Sequence, residues 1–88
     1  MISKQFTVMN EQGFHVRPAQ LFTEKAAEFA ANVRVRSEAG EADGKSMLEL
    51  MTLGLERGSL MTVEADGPDE AEAMQALAAL IESRFGEE

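Results

Sequence analysis

The chain contains a single histidine, and its neighbours are residues that handle phosphate. His15 sits in Gly13-Phe14-His15-Val16-Arg17-Pro18-Ala19, with an arginine two residues on and one of the two prolines three residues on. An imidazole nitrogen can accept a group covalently, and a guanidinium can grip a phosphate or carboxylate through two parallel N–H bonds. Proline is tolerated in a helix only within the first turn, where its missing N–H is not needed. Gly13 ends a turn, so a helix is predicted from about Val16, with His15 at or next to its N-cap. There the backbone N–H groups lack helical partners and, with the helix dipole, make an anion site. Histidine is a poor cap beside Ser, Thr, Asp or Asn, so capping does not account for it. A helix N-terminus also disfavours imidazolium, which favours a neutral, nucleophilic ring. Neutral imidazole, N–H donors and one arginine suit the transient holding of a phosphoryl group. On the residues alone, the other reading is a surface histidine that happens to precede a helix.

Composition removes most other chemistries. One His and no Cys cannot assemble a zinc ligand set, and no metal or cofactor is implied. A Ser-His-Asp hydrolase needs a pocket that orients the base and excludes water, for which 88 residues leave little room. A net charge of −8 argues against nucleic acid. Eight acids (Glu64, Asp66, Asp69, Glu70, Glu72, Glu82, Glu87, Glu88) face Arg84 alone from Glu64 onward. They read as a solvated helix face and tail, with a specific acidic docking surface as the alternative. The lack of disulfides fits a reducing, cytoplasmic setting. No signal peptide is legible at the N-terminus, and no window approaches the roughly 18 apolar residues of a membrane span.

The elements that must position His15 follow from periodicity. Residues 1–88 read as one small domain, since so short a chain cannot build two cores. Ile2 to Met9 is predicted as a strand, with Phe6 and Val8 on one face and "NEQG" as the turn after it. Val16 to Ala30 is predicted as a helix with Ala19, Phe22, Ala26, Phe29 and Ala30 inward. "NVRVRS" alternates strictly, and with "EAG" as a turn and "EAD" as the return it makes a hairpin. "KSMLELMTLG" is a short apolar helix stopped by Gly54. "SLMTVEAD" is a fourth strand with Met61, Val63 and Ala65 inward. After Gly67-Pro68 comes a last helix. Asp69 is its expected cap, with Glu72 as capping-box partner. Ala71, Met74, Ala78, Ile81 and Phe85 are its expected buried stripe, helped by Leu77. "GEE" reads as a frayed end. The six methionines read as core filler, with Met47 as an exception. Alternating strands imply a sheet buried on one face, and hence an α+β two-layer fold, βαββαβα.

Two stretches together resemble a known family. "GFHVRPA" is similar to the active-site motif of HPr, the histidine-containing phosphocarrier of the bacterial phosphotransferase system. "GKSMLELMTLGL" resembles its second signature, a Lys-Ser followed by a short apolar helix. The resemblance covers essentially the whole chain. It implies an open-faced sandwich, a four-stranded antiparallel sheet covered on one face by three helices. It implies a carrier rather than an enzyme, and a monomer, with His15 accepting phosphate at Nδ1 from enzyme I and passing it to sugar-specific IIA domains. Arg17 would orient the phosphate. Ser46 falls at the position of a regulatory serine phosphorylated by an HPr kinase/phosphorylase. "SMLE" is also a capping box, with Ser46 accepting from Glu49 N–H and Glu49 reaching back, so capping alone would explain a serine there. Met47 and Leu48 are expected as an exposed docking patch, with Met51 added to it, against the rival reading of core burial. The chain departs from the family pattern at Gln12, Val16, Glu24 and Glu49. Its acidic "FGEE" end resembles the nitrogen-branch paralogue NPr, a regulatory alternative to sugar transport.

Overall fold

A computed structural model describes residues 1–10 and 13–86. The elements are β1 (Ile2–Thr7), α1 (Val16–Ala27), β2 (Asn32–Ser37), β3 (Gly40–Asp43), α2 (Met47–Thr52), β4 (Leu60–Asp66) and α3 (Glu70–Glu82), followed by a turn at Arg84–Gly86. The four strands form one antiparallel sheet in the order β1-β4-β2-β3. The predicted α+β sandwich and its element order are thus what the chain adopts.

The period-two pattern places the core. Val33, Val35, Met61, Val63 and Ala65 are all buried beneath the helices. Each fully buried aliphatic side chain of this size contributes about 1.5–3 kcal/mol by leaving water. α1 adds Ala19, Phe22 and Ala26, and α3 adds Ala73, Met74, Leu77, Ala78 and Ile81. The opposite face of the sheet is polar, with Arg36 reaching Glu64 at 3.2 Å and Glu41 at 3.5 Å. Glu64 is itself buried there, so it does not belong to the solvated acidic face that the sequence suggested.

Several expectations are corrected, each by a specific partner. α1 stops at Ala27 rather than Ala30. The N–H groups of Glu28 and Phe29 tighten onto Lys25 and Ala26 carbonyls three residues back. Those of Ala30 and Ala31 leave the helix for the Asp69 carboxylate, both at 2.8 Å. Ala30 is consequently exposed and Phe29 only half-buried. Asp69 does hold the N-cap position of α3, but its side chain makes no capping bond because it is committed to that loop. The reach-back comes from Glu70, whose Oε1 accepts from Gly67 N–H at 3.1 Å, and not from Glu72. Ala71 is exposed and Ala73 takes its place in the stripe. β1 ends at Thr7, two residues short of Met9, although Val8 stays buried and bonds Ser59. Met61 and Met74 are buried and Met47 is half-buried against the core, whereas Met1, Met9 and Met51 are exposed, so core filling describes half of the six. Glu11 and Gln12 of the "NEQG" turn, and Glu87 and Glu88 of the end, lie outside the described residues.

Candidate functional site

The loop between β1 and α1 is fixed by backbone contacts to the loop before β4. Val8 N–H donates to Ser59 O and Gly58 N–H donates to Val8 O, both at 2.8 Å. Gly13 N–H turns back onto Asn10 O at 2.9 Å, and Phe14 N–H donates to Leu55 O at 2.9 Å. Gly13 has φ +73, and a Cβ there would stand 2.5 Å from Leu55 O and 2.8 Å from Glu56 Cα. Glycine is needed at this position for its conformation and for the close approach alike.

Phe14 anchors the next step. It is buried, with its ring edge-to-face on Phe22 at 5.8 Å and on Phe85 at 5.4 Å. Such pairs add about 0.5–1.5 kcal/mol each to the burial itself. The residue after this anchor is His15, which occupies the N-cap of α1 with extended backbone (φ −84, ψ −164). Its carbonyl accepts the first helical bond, from Ala19 N–H at 3.0 Å. Its ring makes no capping bond to the helix. Val16 and Arg17 then carry N–H groups for which a helix offers no acceptor, and Pro18 has none to offer. His15 is half-buried; Val16 and Arg17 are exposed, and Pro18 is buried. The imidazole is thus carried at the positive end of a helix, two residues before the exposed Arg17.

The second predicted stretch lies on the neighbouring helix. α2 packs against α1. Lys45 Nζ donates to Phe29 O at 2.8 Å at the far end of α1, whereas Leu55, beyond α2, is bonded to Phe14 at the near end. The two helices are thus antiparallel, and Ser46 sits at the end of α2 remote from His15. Ser46 caps α2, its Oγ accepting from Glu49 N–H at 3.3 Å. The reciprocal half of the capping box is absent: Glu49 Oε1 accepts from Asp43 N–H at 3.0 Å instead, and Ser46 N–H goes to Asp43 O. Leu48 is 80% exposed and Met51, three residues on and on the same face, is exposed too. Met47 is only half-buried and packs against the core, which corrects its assignment to an exposed patch; Leu50 and Leu53 are the residues α2 buries.

Sequence reasoning singled out His15, Arg17 and Ser46 but missed the residues that hold the first two in place. Phe14 had a legible signal, a large apolar residue wedged between a turn glycine and the histidine. Phe85 is legible only as part of the buried stripe of the last helix and Leu55 not at all, because their contacts with Phe14 join residues far apart in the chain. Among the described residues no three His, Cys, Asp or Glu side chains could hold a metal ion, and no helix is long and apolar enough to cross a membrane.

Known proteins are similar to the chain in sequence and in fold. The family model for the PTS HPr component phosphorylation site matches residues 2–83. The phosphocarrier protein HPr of Cupriavidus necator is 41% identical over 87 residues, covering 99% of this chain and 98% of its own. That of Vibrio cholerae is 40% identical over 82 residues, covering 93% and 96%. The crystal structure of HPr-C-His from Thermoanaerobacter tengcongensis superposes with a TM-score of 0.95 at 39% identity, covering 100% of this chain and 99% of that one. A histidine-capped helix on a four-stranded open sandwich, matched along its length in this way, makes the chain a member of the HPr family, the phosphocarriers of the phosphotransferase system.

Proposed function

We propose that His15 accepts a phosphoryl group from enzyme I and delivers it to IIA domains, in the cytoplasm and as a monomer. The observation that carries this reading is His15 at the N-cap of α1, its ring not used for capping, with exposed Arg17 in the first turn. In the forward step a ring nitrogen attacks phosphorus, expected through Nδ1, as the bond from phosphorus to the donor breaks. In the return step the acceptor attacks phosphorus and the protonated imidazole leaves. No net bond is made, so the protein's task is positioning and charge. Arg17 supplies the bidentate grip, which Lys cannot reproduce. An open helix end orients the phosphate without trapping it, and a carrier must release what it holds.

The exposed Leu48 and Met51 support α2 as the docking face for these partners. Ser46 is proposed as a regulatory phosphorylation site. Ser46 begins α2 at the end remote from the His15 loop and beside the exposed Leu48, so a phosphate there is placed to act on the docking partner. A module that is only read by partners, without transfer, is the rival; it has no use for His15 paired with Arg17. Whether the outlet is sugar uptake or an NPr-type nitrogen branch is set by the IIA partner.

Incubation with phosphoenolpyruvate, magnesium and enzyme I tests the reading. One acid-labile, alkali-stable phosphate per chain is expected, the signature of a P–N bond. No phosphate, or one that survives acid, would overturn it.

A further inference from the structure

An unusual backbone turn follows α3 at Arg84–Gly86. Arg84 and Phe85 both lie in the left-handed region, at φ 56 and φ 55, and Gly86 follows at φ 76. A side chain at positive φ is strained, and two in succession persist only where the surroundings hold them. Here two contacts do so. Phe85 is 4% exposed, with its ring edge-to-face on Phe14 at 5.4 Å and an interplanar angle of 86°. The buried Asn10 donates from Nδ2 to Arg84 O at 2.9 Å. Both contacts end on the loop that delivers His15, not on the sheet. Asn10 O is also the acceptor for Gly13 N–H, and Phe14 is the residue immediately before the histidine.

We propose that Phe85, held by the left-handed turn, is a positioning residue for phosphoryl transfer. It rests on the reading of His15 as acceptor. Phe85 touches no reacting atom. Through Phe14 it fixes the chain direction into His15, and so the placement of the ring over the first N–H groups of α1. Among the described residues the Phe14 ring has two aromatic partners, Phe22 from α1 itself and Phe85 from outside it. Removing Phe85 leaves that ring stacked only on the helix it is meant to orient, with the backbone bonds to the loop before β4 still in place. Misplacement by about an ångström can slow a positioned reaction by up to ~100-fold; partial loosening through one side chain predicts a loss of roughly tenfold.

The test uses the full chain with phosphoenolpyruvate and enzyme I, and measures transfer at varied enzyme I together with 31P and amide NMR of the phosphorylated protein. Phe85→Ala is expected to lower the saturating rate about tenfold with the half-saturating enzyme I concentration unchanged, because Leu48 and Met51 are untouched. Phe85→Leu, which keeps apolar bulk, should recover part of the rate. The 31P signal and the Phe14 to Arg17 amides should shift in both variants. Val33→Ala, a core truncation in β2, controls for stability loss alone and should transfer at the wild-type rate. If Phe85→Ala does not fold, Phe85→Leu carries the test, with a two- to threefold loss and the same spectral shifts expected. Wild-type rates in the folded Phe85 variants, or a loss no greater than that of Val33→Ala, overturn the inference and leave the acceptor reading standing. A wild-type protein that takes no acid-labile phosphate overturns both.

Discussion

Gly13→Ala should be strongly damaging, because the new methyl group meets a strained conformation and a backbone clash at once. The new Cβ meets two backbone atoms, Leu55 O at 2.5 Å and Glu56 Cα at 2.8 Å, and neither can swing aside as a side-chain tip would. Holding a non-glycine residue at φ +73 costs about 1–2 kcal/mol. Pushing the 55–56 segment away also breaks the Phe14 N–H to Leu55 O bond, a further ~0.5–1.5 kcal/mol. The two terms together predict a loss of about 1.5–3.5 kcal/mol, which for a domain of this size lowers the melting temperature by roughly 6–28 °C. Gly54→Ala separates the terms. Gly54 also has positive φ, at +58, but an added Cβ there meets nothing within 4 Å. It should show the conformational cost alone, about 1–2 kcal/mol. Urea unfolding followed by circular dichroism gives both values. If the two substitutions cost the same, the close approach of the 55–56 backbone does not hold the His15 loop, and the account of how the loop is fixed is wrong.

Other expectations follow from the same contacts. Leu48→Glu should leave stability within about 0.5 kcal/mol but weaken enzyme I binding roughly tenfold by titration calorimetry, whereas Leu50→Ala should cost about 2–5 kcal/mol of stability; the reverse pattern would mean that Leu48 is core. Ser46→Ala should lose about 1 kcal/mol of stability with the cap, while Ser46→Asp should keep the cap and slow phosphate uptake from enzyme I; equal uptake by both variants would reduce Ser46 to a cap. Asp69 accepts N–H bonds from Ala30 and Ala31, and the Ala30 bond foremost holds its carboxyl below the usual aspartate value. A folded-state value below the unfolded one means stability that is present above the unfolded value and lost as pH falls through the folded one. The stability advantage of wild type over Asp69→Asn should therefore be full near neutrality and shrink below about pH 4; an advantage independent of pH would contradict the carboxylate's role.

Local patterns made the strands, the two long helices and the His15 cap legible, because each depends on residues within a turn or two. Val33 and Val35 alternate with arginines, and Pro18 leaves few places where a helix can begin. What stayed hidden depended on distant partners. Nothing near Asp69 reveals that its carboxylate will cross to the end of α1, so its cap and the end of that helix were misplaced together. Glu49 looked like half of a capping box and instead found Asp43, in the hairpin before α2. Met47 and Leu48 are adjacent apolar residues on a short helix, and only the packing of α2 against its neighbours decides which of them faces water. The brace at Phe14 joins it to Leu55 and Phe85, separations at which no sequence periodicity operates.

The central claim is that one nitrogen of one side chain carries the phosphate. Its most direct measurement compares wild type and His15→Ala after reaction with phosphoenolpyruvate and enzyme I, using intact mass and acid lability, with circular dichroism confirming that the variant is folded. One acid-labile phosphate is expected on wild type and none on a folded His15→Ala. An undiminished acid-labile phosphate on His15→Ala would contradict that claim.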